Sequence, residues 1–396
     1  MKARIWASTK LGYVCPKKEA MQISGIASNV CYAEGDFDQI LEQPPKKAEE
    51  RVEGNIEAGH HSVTGHVDYV FGLSGIPKII AMLLNNEKEY NTSERSARYV
   101  RMPLEGIEKE LYEKWREIFA NVIREKLPKL AEIEKKELED IPNRKQTTVT
   151  KLAQENARYF ISIFTPSTNM AYKTSIRQAG YLIHWARNLA KRKDTPFYQM
   201  LSPYLTEVAD NMSKCLEGFE LDDCKNREFS LFATRVRKES FDETYCVNYK
   251  GTFSQLAQAQ RHRSISYEMI VPDPETATFF VPPIIADNDE LVQEYLDDMQ
   301  KVKHLYPQGM LIQINERGTP EAFILKCYER KCGAAQLEIC FQTEITLKRY
   351  VVETINEYIR EMLLPYIGKT KCQLCKNFKC KRPCPSGPDH AFDRII

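Results

Sequence analysis

The chain has 396 residues, a formal net charge of +1 and 42% hydrophobic residues. That length holds two domains or one large one with a real core, while the near-neutral charge gives no global field pointing to nucleic acid and no run of about 20 apolar residues is present to span a membrane. The N-terminal MKARIWASTKLGYVCPKK has no apolar stretch of the secretory kind, and the twelve cysteines, four of them between Cys372 and Cys384, read as a reducing, cytoplasmic setting with one local cluster rather than a disulfide framework.

In chain order, the first polar cluster is Gly59-His60-His61-Ser62, with His66 beyond it. VDYVFGLSGIPKIIAMLLNNEKEY follows and predicts an extended stretch, a glycine (Gly75), then a short helix of small and apolar residues. Next comes Glu94-x-Ser96-x-Arg98-Tyr99, then Ala157-Arg158 between long amphipathic helices expected over roughly 105–135 and 176–218. The segment ETYCVNYKGTFSQLAQAQRHRSIS repeats the extended–glycine–helix pattern, with Tyr245 on the register of Tyr69 and Gly251 on that of Gly75. It ends in Gln258-x-x-Arg261-His262-Arg263 and Ser266-Tyr267, where the first segment has Asn85-Asn86-Glu87. Further helices are expected over roughly 288–304 and 334–365, with Arg330 ahead of Ala335-Gln336-Leu337-Glu338-Ile339. On pattern alone, duplication and chance alignment both stay open. Taken alone, Arg-His-Arg reads as a solvated basic turn. The polar groups are complementary, however: each half carries what the other lacks.

Together these motifs resemble the flavin-dependent thymidylate synthase family, over about residues 25 to 365. Its members look like Gly-His-x-Ser, then Gln-x-x-Arg-His-Arg, Ser-Tyr, Glu-x-Ser-x-Arg-Tyr, an Ala-Arg in a helix, and an Arg before Ala-Gln-Trp-Glu-Ile. An ordinary member holds all of this in one shorter chain and assembles four copies. Here the pattern is divided between two halves. The resemblance therefore implies an α+β fold of two tandem synthase-like units, 1–220 and 221–367, each a twisted, mainly antiparallel sheet flanked by long helices. A Cys-rich tail, 368–396, follows. Two chains would reproduce the four-unit assembly as a homodimer.

The implied reaction methylates dUMP to dTMP, with methylenetetrahydrofolate as carbon donor, FAD as cofactor and NADPH as reductant. By the resemblance, Glu94, Ser96, Arg98, Arg158, Gln258, Arg261 and Arg330 bind the nucleotide. Arg261, Arg330 and Ser96 are the catalytic candidates. His60, Ser62, Arg261, His262 and Arg263 would hold the flavin. The residue types suit the task. Arginine forks pair a phosphate through parallel hydrogen bonds, and fixed cations stabilise charge that builds on the ring. The sequence departs from the family with Gly65 in place of a glutamate, Ala334 of a histidine and Leu337 of a tryptophan, and with Lys303 in the second half's Ala-Arg slot. An enzyme acting on another pyrimidine nucleotide, or a non-catalytic synthase-like scaffold whose tail binds nucleic acid or a protein partner, stays open beside the synthase.

In the tail, Cys372, Cys375, Cys380 and Cys384 can wrap one tetrahedral ion. Zinc is the first choice. An iron–sulfur centre is the alternative, because the last cysteine is followed by Pro385.

Overall fold

Both extended–glycine–helix segments fold as read. The computed structural model describes residues 15–31, 33, 37–98, 100–142, 144, 146–219, 221–222, 227–374 and 391–396. Among them are strands β1 (Asp68–Pro77), β2 (Asn91–Glu94), β3 (Pro166–Ser175), β4 (Ser240–Phe241), β5 (Tyr245–Thr252), β6 (Ser266–Ile270) and β7 (Leu311–Gly318). Strand β1 runs into the helix Lys78–Asn86, and β5 runs into the helix Phe253–Ala259. The two glycines serve different ends. Gly75 has φ +65°, the left-handed region that glycine enters without a Cβ clash. At Gly251 a Cβ would lie 2.5 Å from Gln255 Oε1 and 2.9 Å from Ile314 Cδ1, so the constraint is close packing.

The chain forms α+β structure in two compact units whose ranges interleave along the sequence. One comprises Met1–Leu73, Glu89–Ser93 and Met170–Glu228; the other comprises Ser74–Lys88, Glu94–Asn169 and Phe229–Ile396. Strands β1, β3 and β2 make a three-stranded sheet in that order.

The first unit is mainly helical, with helices Lys17–Asn29, Pro45–Glu57, Ile176–Leu189 and Pro196–Cys215. The helix expected over 176–218 is two helices. Pro196 sits at the first turn of the second, where its missing N–H is harmless, and Thr195 caps it by accepting from Tyr198 N at 3.4 Å.

The second unit contains the antiparallel sheet β4-β5-β7-β6. Strand β7 is central: Tyr245 pairs with Gly318 on one side and Ser266 with Arg317 on the other. Helix Leu337–Glu353 buries Leu337, Ile339, Cys340, Leu347 and Tyr350, and the Tyr350 ring lies 5.2 Å from that of Tyr245. A second core gathers on helix Gly106–Lys126, where Trp115 stacks on Phe160 at 5.8 Å and meets Tyr295 edge-on at 4.9 Å. Such an aromatic centre is worth about 3–5 kcal/mol against truncation to alanine. The helix expected over 105–135 breaks at Leu127 (φ −125°, ψ 71°), because Pro128 disfavours helical backbone in the residue before it. The one expected over 334–365 starts at Leu337 and restarts at Glu357, capped by Asn356. No helix among the described residues is long and apolar enough to cross a membrane.

Candidate functional site

Within the second unit, six of the residues singled out in the sequence line one cleft of about 140 Å³: Glu94, Ser96, Arg98, Arg158, Gln258 and Arg261. Glu94 ends β2, and Ser96 and Arg98 follow on the next turn. Arg158 opens the 3-10 turn after helix Thr148–Ala157. Gln258 lies on helix Phe253–Ala259, and Arg261 sits two residues past its end. Tyr99 lies outside the described residues.

The charge of this cleft is lopsided. Lys78, Arg95, Arg98, Arg158 and Arg261 line it against one carboxylate, Glu94. Glu94 is already engaged: Lys78 Nζ is 2.7 Å from its Oε1, and Asn85 donates to its Oε2 at 3.3 Å. Arg98 pairs with Glu155 (2.8 Å), donates to Ala334 O at 2.8 Å, and receives its backbone turn from Ser96 Oγ, which accepts Arg98 N–H at 3.3 Å. Arg158 is buried at 5% exposure. It donates through Nη2 to Gln336 Oε1, while its Nε has no partner among the described residues. Burial, opposed by Glu155, Tyr159 and Glu338 and reinforced by Arg98, lowers the Arg158 pKa. A buried guanidinium with an unmet donor costs free energy that an anion in the cleft would recover.

Arg330 does not line the cleft. It stands behind it, donating through Nη2 to Gln258 O at 2.8 Å and through Nε to His262 Nε2 at 2.7 Å. Its pKa is lowered, by burial first, with Arg261 and Arg98 adding to the effect. His262 is pulled down to about 2, by burial first and then by Arg330 and Lys326. It is therefore a neutral imidazole whose Nε2 accepts. Arg261 and Arg263 are exposed beside it. Lys303, in the slot where an arginine was expected, pairs with Glu275.

The stretch Asn85-Asn86-Glu87, which lies on the register of Arg-His-Arg, makes packing contacts. Asn85, Asn86 and Glu87 are all buried. Asn86 donates to Ser230 Oγ (2.8 Å) and Tyr267 O (3.0 Å), and Glu87 Oε1 accepts from Ser230 N (2.8 Å) and Oγ (2.9 Å).

Gln336 and Glu338 carried no assigned role in the sequence. Gln336 bridges the site: its Oε1 accepts from both Arg158 and Gln258, and its Nε2 donates to Tyr159 OH at 3.0 Å and to Glu338. Glu338 is buried; desolvation raises its pKa against Tyr159 (2.6 Å) and Thr252 (3.1 Å), which donate to it. Both stand in the quoted Ala-Gln-Leu-Glu-Ile string, so the signal was present as a motif but not as a role. Lys78 had no signal at all. A second cavity of about 410 Å³ adjoins, sharing Arg98 and walled by Glu155, Tyr159, Phe280, Gln336 and Arg394.

In the first unit, His60 and Ser62 are exposed at the start of the 3-10 helix His61–His66. Neighbouring His61 is buried, with Nδ1 2.9 Å from Tyr181 OH. Of the tail cysteines, Cys372 lies in the short helix Lys371–Leu374, while Cys375, Cys380 and Cys384 fall outside the described residues. Among the described residues no group of three metal-ligating side chains occurs.

The arrangement is a cleft lined by five cations and one carboxylate, with a fixed amide, a neutral imidazole behind it and a larger cavity alongside. Residues 15–185 match the family model described as thymidylate synthase complementing protein. No curated protein matches the chain.

Proposed function

We propose that the chain is a flavin-dependent thymidylate synthase that methylates dUMP with methylenetetrahydrofolate, with NADPH as the reductant, a reading supported by the match of residues 15–185 to the family model described as thymidylate synthase complementing protein. The observation that carries this reading is the cleft in which Glu94, Ser96, Arg98 and Arg158 meet Gln258 and Arg261, with five cations against one carboxylate.

The roles follow from chemistry. A nucleotide phosphate is a dianion, and Arg98 and Arg158 offer it planar donors with the Ser96 hydroxyl beside them. The Gln258 amide has a donor and an acceptor, the complement of a uracil edge. Arg261 stabilises the negative charge that spreads over the ring as C5 becomes nucleophilic. Arg330 acts from behind, fixing the Gln258 backbone and the His262 tautomer. The carbon donor delivers a one-carbon unit to C5, and a hydride completes the methyl group.

The flavin, when bound, supplies that hydride. The donor set fits it: exposed Arg261 and Arg263 suit its diphosphate, and His262 holds its turn through Arg330. His60 and Ser62 enter this reading by the resemblance alone, as do the division of the chain into two tandem halves, the homodimer and a zinc or iron–sulfur centre on the cysteine tail. The test is product formation: purified protein with FAD, NADPH, methylenetetrahydrofolate and dUMP should yield dTMP. No dTMP, with uracil nucleotides other than dUMP methylated or hydroxymethylated instead, would move the substrate; no turnover of any pyrimidine nucleotide would defeat the reading.

A further inference from the structure

The loop 331–336 joins helix Pro320–Arg330 to helix Leu337–Glu353 and ends in Gln336, the bridge between Arg158 and Gln258. Helix ends leave carbonyls and N–H groups without intrahelical partners, so such a loop needs outside support. Two guanidiniums supply it. Arg98 takes Ala334 O at 2.8 Å. Arg394 takes Gly333 O through Nη1 at 2.8 Å and Ala335 O through Nη2 at 2.7 Å, while its Nε donates to Ala391 O at 3.1 Å.

Residues 391–396 are therefore docked. Ala391 is fully buried and Ile396 is 8% exposed. The Phe392 ring lies 5.4 Å from Lys331 Nζ at the start of the same loop. Arg394 and Ile396 also wall the 410 Å³ cavity beside the cleft. One guanidinium spans two carbonyls two residues apart, which an ammonium on a flexible stem does not reproduce.

We propose that Arg394 is a positioning residue of the nucleotide cleft: by clamping Gly333 and Ala335 it sets the Gln336 amide between Arg158 and Gln258, so that the docked segment 391–396 controls nucleotide affinity. This rests on the reading of the cleft as a dUMP site. Losing Arg394 leaves two loop carbonyls without charged donors, and Gln336 loses its fixed approach to Arg158.

The test uses the full chain with Arg394→Ala and Arg394→Lys. Hydrogen exchange over 331–337 is followed without ligand, dUMP affinity is measured by calorimetry, and thermal unfolding reports the fold. Arg394→Ala should exchange faster across this loop, where Ala335 N–H now bonds Cys332 O at 2.9 Å. It should bind dUMP about tenfold more weakly, the scale of one charge-assisted hydrogen bond, with a melting temperature lowered by only about a few degrees and a single cooperative unfolding transition. Arg394→Lys should fall between it and the wild type. Wild-type dUMP binding with both variants equal to it, and with unchanged loop exchange, overturns the positioning role. Wild type that binds no dUMP overturns the nucleotide reading and, with it, the claim on affinity.

Discussion

Lowering the pH from 7.5 to 5.5 should weaken the fold at His262, and the size of that effect follows from its surroundings. Its pKa falls from 6.5 to about 2, because burial penalises the imidazolium and because Arg330 and Lys326 face it with like charge. Between those two values the unfolded chain holds a proton that the folded chain refuses, so stability rises with pH at up to about 1.4 kcal/mol per unit. The contribution is fully present above about pH 6.5 and is lost as the pH falls toward the folded value. From pH 7.5 to 5.5 the loss from this residue comes to about 1.4 kcal/mol. His262→Gln keeps an acceptor for Arg330 Nε but cannot titrate. The assay is urea unfolding of both proteins at the two pH values. The wild type should lose about 1.4 kcal/mol more than His262→Gln. Equal losses would refute the half-buried neutral imidazole, and with it the hold of His262 on Arg330 behind Gln258.

Other expectations follow from the same geometry. Arg98→Ala and Arg261→Ala should each lower kcat/KM for dUMP by about a hundredfold or more, the scale of a lost charged partner, although the two residues lie far apart in the sequence; because both line one cleft of a single chain, mixing the two variants should restore little activity, and recovery to about a quarter would place the site between chains. Arg158→Lys should also weaken dUMP binding, by about tenfold, because it keeps the charge but loses the fork; an unchanged Kd by calorimetry would remove Arg158 from the phosphate site. Lys326 and Glu316 are fully buried, 2.6 Å apart, and Tyr245 and Tyr249 each donate to Glu316 at 2.7 Å. Lys326→Met should therefore cost about 3–5 kcal/mol in urea unfolding by leaving a buried carboxylate unpaired, and Lys326→Met with Glu316→Gln should recover part of it.

What the sequence revealed depended on the kind of signal. The strand–glycine–helix segments were legible because β1 and β5 each end where apolar residues shift from alternation to helical spacing. The helix breaks at Leu127 and before Pro196 were also there to be read, since proline marks both, but amphipathic spacing runs through them and masked the stops. The cleft residues were legible as types at fixed spacings. Their meeting was not, because it depends on Arg158 and Gln258, 100 positions apart in the chain, both reaching Gln336. Lys78 neutralises Glu94 and Arg394 clamps Gly333, and neither contact leaves a trace in spacing. Asn85-Asn86-Glu87, on the register of Arg-His-Arg, carried no sign in the sequence of the packing role that their bonds to Ser230 and Tyr267 give them.

The central claim is a nucleotide cleft that works with a flavin. An absorbance spectrum of the purified protein, taken with added FAD and then during dUMP titration, tests it most directly. The expected result is a bound-flavin spectrum that shifts saturably with dUMP, and a shift lost in Arg158→Ala. A protein that binds no flavin under any condition, or a flavin spectrum indifferent to dUMP, would contradict it.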